Sequence, residues 1–220
     1  MSNRAKTMVA KQLKNRGIVN TDVLDAMSLV KRHLFVSRIY RSMAYTDNPL
    51  PIGHGQTISQ PYVVALMTEL LQVDKTHKVL EIGTGCGYQT AILSILSKRV
   101  ITLDVLSSLS RQSQKRLRKL GYNNVDFHCA DGKLGWKKEA PYDRILVSAA
   151  PVTIPELLIG QLAPKGYMVI PVGPLKDQLI NIITKDKNGH IHIKKSTQVR
   201  FVPLVRILCV YILCIHISIV

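Results

Sequence analysis

Apolar positions along the chain fall into short runs separated by amphipathic stretches, and this alternation predicts the element order. Val79, Leu80 and Ile82 form one run, and Val100, Ile101 and Leu103 form a second inside RVITLD, residues 99–104. Short, nearly continuous apolar runs bounded by turn residues read as strands of a sheet covered on both faces. Val125, Phe127 and Cys129 alternate as a third strand, residues 144–148 give a fourth, 167–172 a fifth and 179–184 a sixth. Asn188-Gly189 then marks a hairpin turn into residues 190–195. Between the first strands the period changes. Residues 89–96 form a helix after a glycine-rich turn, and Leu106, Leu109, Ser113, Leu117 and Leu120 repeat at helical spacing up to Gly121, a suitable C-cap. Alternating strand and helix predict an α/β fold with a doubly wound sheet.

Before the first strand, residues 3–16 and 21–32 read as two accessory helices, the second starting at Thr21-Asp22 with Val23, Met27 and Val30 on one face. Such a preface usually covers or completes a site. Residues 43–61, rich in Pro and Gly, predict a long loop without periodicity. A loop of that length inside a compact domain is often functional. It runs into a helix with Val63, Leu66, Met67 and Leu70 as its buried stripe and Ser59 as N-cap. Capping would by itself account for Ser59.

Candidate chemistry concentrates in KVLEIGTGCGY, Lys78 to Tyr88. A backbone that turns tightly against a ligand has no room for Cβ and often needs positive φ, which calls for glycine. A dinucleotide fingerprint would need its third glycine at position 88, where Tyr88 stands. The pattern is instead E-x-G-x-G-x-G, carried by Glu81, Gly83, Gly85 and Gly87 with Thr84 between. On the loop alone, a tight turn in some other α/β protein stays open. Asp104 ends the second strand, 21 residues beyond Gly83. A carboxylate there suits the two ribose hydroxyls of a nucleoside cofactor. Asp131-Gly132 follows the third strand and, taken alone, is an ordinary turn.

A length of 220 residues fits one domain with a modest extension. The net charge of +16 suggests an acidic partner or simply a basic proteome, and it bears on association rather than fold. Arg111, Lys115, Arg116, Arg118 and Lys119 on one helix read as a solvated face. Cys86, Cys129, Cys209 and Cys214 fall at no metal-ligand spacing, so a reduced, cytoplasmic chain is expected. His190 and His192 share a strand face without a third ligand, and no metal site is expected. The N-terminus lacks a secretory apolar core. From Leu204 the chain runs LVRILCVYILCIHISIV, whose uncharged stretches fall short of the roughly 20 residues of a membrane span.

Several segments together carry a resemblance: HLFV (33–36), AYTDNPLPIGHGQTISQPYVVALMTELL (44–71), VLEIGTGCGYQTAIL (79–93), ADGKLGW (130–136), APYDRILVSAAP (140–151), QLAPKGYMVIPVG (161–173) and VRFVPLV (199–205). In this order, over about residues 3–205, the chain resembles the protein-L-isoaspartate O-methyltransferase family of class I S-adenosylmethionine-dependent methyltransferases. The glycine loop is shared widely among methyltransferases, whereas GQTISQP is far more restricted to this family. The resemblance implies a Rossmann-like seven-stranded methyltransferase sheet with N-terminal accessory helices. It implies one domain over residues 1–205, with helices and substrate loop in 1–77, the cofactor sheet in 78–205, and a tail, 206–220, without an assigned role.

The resemblance further implies S-adenosyl-L-methionine as cofactor, held by Glu81, Gly83, Thr84, Gly85 and Gly87, by Asp104 at the ribose, and by Asp131 and Gly132 beside the adenine. The family generally has Glu followed by a basic residue where this chain has Asp104 and Val105, one methylene shorter. Ser59 would orient the acceptor as the catalytic residue. Thr57 and Ile58 would bind substrate, with Gln56 shaping the lid. Val202, Pro203 and Leu204, in a last strand over 199–204, would help form a peptide cleft. Expected partners are damaged proteins and peptides containing L-isoaspartate, met by a monomer. The small SAAP segment at 148–151 lacks the stacking aromatic of nucleobase methyltransferases, so no nucleic acid is expected. No membrane is expected either, although the apolar tail leaves this open.

The reaction so implied moves a methyl group to the free α-carboxylate of L-isoaspartyl residues, giving an ester that leaves and cyclises to succinimide. An α-carboxylate has a pKa of about 3.5 and is already ionised at neutral pH, so no general base is needed. His54 reads as a loop-ordering residue. Two other readings stay open: an S-adenosylmethionine-binding protein whose altered tail disturbs the cleft or tethers it to a membrane, and an RNA methyltransferase.

Overall fold

The computed structural model describes residues 3–205. Helix α1 (Asn3–Met8) loosens into a π turn (Val9–Leu13) and a 3-10 turn (Lys14–Arg16), ending at Gly17 with φ of 91°. In α2 (Thr21–Leu29) the cap is Asn20 rather than Thr21: the Asn20 side chain accepts a hydrogen bond from Val23 N at 3.1 Å. This helix stops short of residue 32 because Val30 is already extended, with ψ of 113°. Val23, Met27 and Val30 are buried, as their shared face predicts.

Residues 43–61 are not an irregular loop. They contain an antiparallel hairpin, β1 (Leu50–Gly53) and β2 (Gln56–Ile58), with Leu50 opposite Ile58. His54 and Gly55 both have positive φ, 53° and 67°, as a primed two-residue turn requires. Strands this short, with Pro51 inside, show no legible alternation. Helix α3 (Pro61–Leu71) starts two residues after Ser59, and its N-cap position is Gln60, whose side chain makes no capping bond. Ser59 is therefore not the cap. The first turn is satisfied from a distance: Asp47 Oδ1 accepts from Tyr62 N at 3.0 Å. The helix buries Val64, Ala65, Met67, Thr68 and Leu71, while Val63, Leu66 and Leu70 pack half-buried at its flanks.

The sheet comprises β3 (Lys78–Ile82), β4 (Arg99–Asp104), β5 (Val125–Cys129), β6 (Tyr142–Val147), β7 (Leu162–Val172), β8 (Gln178–Lys185) and β9 (Ile191–Val199). Its order is β5-β4-β3-β6-β7-β8-β9, parallel through β7 and antiparallel beyond. Successive side chains point to opposite faces. Leu80, Ile82, Ile101, Leu103, Ile145 and Val147 accordingly form one core layer. Val79, Val100, Leu146 and Val169 form another, with Met67 of α3 and Leu93 of α4 (Tyr88–Leu96). The expected strand over 199–204 is absent. Instead Pro203 makes one parallel bridge to Ala150, fixed by Ala150 N to Val202 O and Leu204 N to Ala150 O, both 2.9 Å. Proline has no N–H with which to extend a ladder.

The chain steps outward from β3 to β4 and β5, then returns to β6 on the other side of β3. Ligands bind at such a switch point, beyond the carboxyl ends of the strands. Gly83 follows β3 and Ser148 follows β6, and a Cβ on Gly83 would lie 3.4 Å from Ser148 Cβ. Helix α5 (Ser107–Lys119) buries Leu109, Ser113 and Leu117 and exposes Arg111, Lys115, Arg118 and Lys119, a solvated face. Arg116 is the exception and donates to Cys86 O at 2.7 Å. Cys86 is buried, Cys129 is exposed, and both are free thiols. Cys209, Cys214 and the tail over 206–220 lie outside the described residues. Among those described, no helix is long and apolar enough to cross a membrane, and no group of three or more His, Cys, Asp or Glu could hold a metal.

Candidate active site

A cavity of about 480 Å³ opens above the switch point, within the roughly 300–1,000 Å³ of small-molecule sites. One wall is the glycine loop. Gly83 N and Thr84 N both donate to Leu103 O, at 2.8 and 3.2 Å, which ties the loop to the end of β4. Gly85 N donates to Asp104 Oδ2 at 2.7 Å, and Leu106 N to Oδ1 at 2.8 Å. Asp104 is thus held rigidly at the cavity edge. Burial pushes its carboxyl up, against the two backbone donors that favour the ionised form. Gly83, Thr84, Gly85, Asp104 and Gly132 all line this space. A Cβ on Gly132 would fall 2.2 Å from Ile82 Cγ2, so only glycine leaves the floor open.

Three expected cofactor residues stand off the wall. Glu81 is fully buried beneath the loop, where the Thr90 and Thr102 hydroxyls donate to its Oε2 at 2.6 Å. Because the Thr102 proton is committed to Glu81, Thr84 Oγ1 must donate to Thr102 Oγ1 across their 2.7 Å separation. Burial pushes the Glu81 carboxyl up to about 8, and its Oε1 has no partner. Gly87 packs under α5 at the start of α4, where a Cβ would meet Leu117 Cδ1 at 2.5 Å. Asp131 Oδ1 accepts from Lys133 N at 2.9 Å and shapes the turn that presents Gly132.

The rest of the lining joins segments far apart in sequence: Thr57, Ile58 and Ser59 with Val202, Pro203 and Leu204, the last reaching to 3.5 Å from a Cβ on Gly132. Ser59 is held from behind, since its carbonyl accepts from Arg32 Nη2 at 2.8 Å. Arg32 Nε also donates to Ala44 O at 2.8 Å, and its guanidinium lies 4.8 Å from the Tyr88 ring centre. The β1–β2 hairpin leans over the glycine loop. Ile52 Cδ1 would sit 3.4 Å from a Cβ on Gly85, and His54 Nε2 is 3.2 Å from Ser108 Oγ, in keeping with a loop-ordering histidine. Sequence reading missed Asp47, Arg32 and Ser148 as parts of this site, while Cys86 was placed within the cofactor loop without a role. Only Cys86, inside the loop, had a local signal.

The lining has few titratable groups: His54, Cys86, Tyr88 and Asp104. Burial pushes the Cys86 thiol up and the Tyr88 phenol up to about 12, so both are neutral at neutral pH. Among the described residues, no Lys or Arg lines the cavity. Apolar lining from Ile52, Val64, Met67 and Phe201 dominates. A nucleoside cofactor fits the glycine and Asp104 side. The acceptor side supplies hydrogen bonds and shape, with no nucleophile-activating pair, so a reacting group must arrive already ionised. His190 and His192 are remote, exposed, and 3.1 and 3.7 Å from Asp186.

A family model described as Protein-L-isoaspartate(D-aspartate) O-methyltransferase matches residues 3–208. The protein-L-isoaspartate O-methyltransferase of Dictyoglomus turgidum is 53% identical over 192 residues, covering 87% of each chain. That of Geobacter metallireducens is 47% identical over 200 residues, covering 91% of this chain and 93% of its own. Among solved structures, one from Plasmodium falciparum, described as a protein-L-isoaspartate O-methyltransferase in complex with S-adenosyl-L-homocysteine, superposes with a TM-score of 0.80. It is 29% identical and covers 93% of this chain and 99% of its own. A second structure of that description gives a TM-score of 0.83 at 27% identity, covering 93% and 67%.

Proposed function

The chain belongs to the protein-L-isoaspartate(D-aspartate) O-methyltransferase family, and on that premise we propose how its residues divide the work of moving a methyl group from S-adenosylmethionine to the free α-carboxylate of L-isoaspartyl residues in damaged proteins. The carrying observation is the cavity, which joins the glycine loop and Asp104 to an acceptor side of Thr57, Ile58 and Ser59, where the His54 imidazole is tied to Ser108. When bound, the cofactor supplies a methyl group on a sulfonium, open to attack by an anionic oxygen.

Asp104 would accept hydrogen bonds from the ribose hydroxyls, the glycine loop would hold the aminoacid end, and Gly132 would leave space for the base. Ser59 donates its hydroxyl to the acceptor carboxylate and aligns it. Thr57, Ile58 and the Val202-Pro203-Leu204 segment bracket the peptide. Catalysis then consists of placing an ionised oxygen in line, in a space with little water. Glu81, Gly87 and Asp131 act one layer back, holding the loop and turn. Within a single domain, the segment before β3 supplies Thr57, Ile58 and Ser59 to the acceptor side, and the segment from β3 onward supplies the donor side together with Val202, Pro203 and Leu204. The cavity lining described comes from one chain, in keeping with a monomer, and the free thiols of Cys86 and Cys129 suit a reducing cytoplasm.

The test is transfer of labelled methyl to matched peptides containing isoaspartate or aspartate. Base-labile label on the isoaspartyl peptide alone is expected. Alkali-stable label on RNA, with binding that weakens steeply with salt, would favour a nucleic-acid substrate instead.

A further inference from the structure

Arg32 heads the fully buried side chains by volume, with 0% exposure. A buried guanidinium normally faces a carboxylate, because an unpaired charge in dry protein is costly. All 14 Asp and Glu residues of the chain lie within the described residues, and none pairs with Arg32. Asp47, the carboxylate whose charge reaches it, is already used by Tyr62 N, by Gln60 Nε2 at 2.6 Å and by Arg16. Arg32 spends its Nε and Nη2 on two backbone carbonyls, Ala44 O and Ser59 O, while Nη1 has no partner. Its charge is thus desolvated, out of direct contact with any carboxylate and one carbonyl behind Ser59. Among the described residues, the cavity in front has no Lys or Arg on the acceptor wall.

We propose that Arg32 is a positioning residue that sets the acceptor charge: it locks the Ser59 backbone to the 32–44 segment and places a buried positive charge with no carboxylate in contact behind the acceptor wall, favouring an anionic carboxylate over its neutral carboxamide. Inside protein the field of such a charge falls off slowly and salt screens it little. The missing counter-ion is the substrate. Contact with Tyr88, which lines the cavity at the start of α4, ties the same residue to the donor side. This inference rests on reading Ser59 as the acceptor-side residue.

The experiment compares, as competitive ligands, an isoaspartyl peptide and its isoasparaginyl counterpart, which has a carboxamide in place of that carboxylate. The proteins are the full-length wild type, Arg32→Lys and Arg32→Gln, with melting temperature and S-adenosyl-L-homocysteine affinity measured alongside. Wild type should prefer the carboxylate, with a preference that survives from low to high salt. Arg32→Lys should keep most of it, and Arg32→Gln should lose roughly tenfold or more. Equal loss in both variants, tracking melting temperature, would reduce Arg32 to a structural brace and overturn the proposal. Should neither variant fold, the wild-type salt series decides: a preference that collapses with salt belongs to surface charge. No methyl transfer to the isoaspartyl peptide by wild type would overturn the functional reading as well, whereas transfer with unaltered preference in Arg32→Gln overturns only the role of Arg32.

Discussion

The donor wall and the acceptor wall of the cavity are built in different ways. The donor wall is local: β3, its glycine loop and α4 are consecutive, and the loop's ties run to Leu103 and Asp104 at the end of the next strand. The acceptor wall is assembled from a distance. Asp47 caps α3, Arg32 holds the Ser59 carbonyl, and Pro203 docks beside Ala150. Local construction makes a wall depend on backbone conformation and missing Cβ atoms. Long-range construction makes it depend on single polar side chains that join segments.

Damage to the two walls should therefore be separable. The largest effect is expected from Gly132→Val, which drives a side chain toward Ile82 and closes the floor. Misplacement on this scale costs on the order of 10²-fold, so titration with S-adenosyl-L-homocysteine should show at least that loss of affinity. Asp47→Ala removes the acceptor for Tyr62 N and the partner of Arg16 and Gln60. Loss of such a cap costs about 1–2 kcal/mol. Thermal unfolding should shift accordingly, the KM for isoaspartyl peptide should rise several-fold, and cofactor affinity should stay near wild type.

The effect that depends on pH belongs to Glu81. Its carboxyl is raised from 4.5 to about 8 in the folded protein, so the folded state holds a proton that the unfolded chain releases. Stability is then full below about pH 4.5 and falls as pH rises, by at most about 1.4 kcal/mol per unit, until the folded group ionises near pH 8. Glu81→Gln mimics the protonated form and should flatten that slope in denaturant unfolding measured across the window. An unchanged slope would mean that Glu81 is ionised in the fold.

The same contrast explains what could be read from the sequence. The strands and helices of the sheet, the glycine loop and Asp104 follow from periodicity and spacing, because each sits in a local pattern of strand, turn and helix that the chain repeats. Asp131 and Glu81 sit in recognisable motifs, yet no pattern says that they support the wall from behind. Ser59 has the spacing of a helix cap, and only the arrival of Asp47 from the preceding loop frees it to face the cavity. The β1–β2 hairpin escaped notice because strands of four and three residues cannot display a period of two. Arg32 reads as one more basic residue in a chain of net charge +16, and only folding removes it from water.

Ser59→Ala offers the most direct test of a site with two separable walls and no base. A hydrogen bond to a charged group is worth about 1.5–3 kcal/mol, so kcat/KM for an isoaspartyl peptide should fall roughly 10- to 100-fold, while affinity for S-adenosyl-L-homocysteine, titrated on the same preparation, stays within about twofold. Parallel loss of both, or no loss of either, would contradict the account.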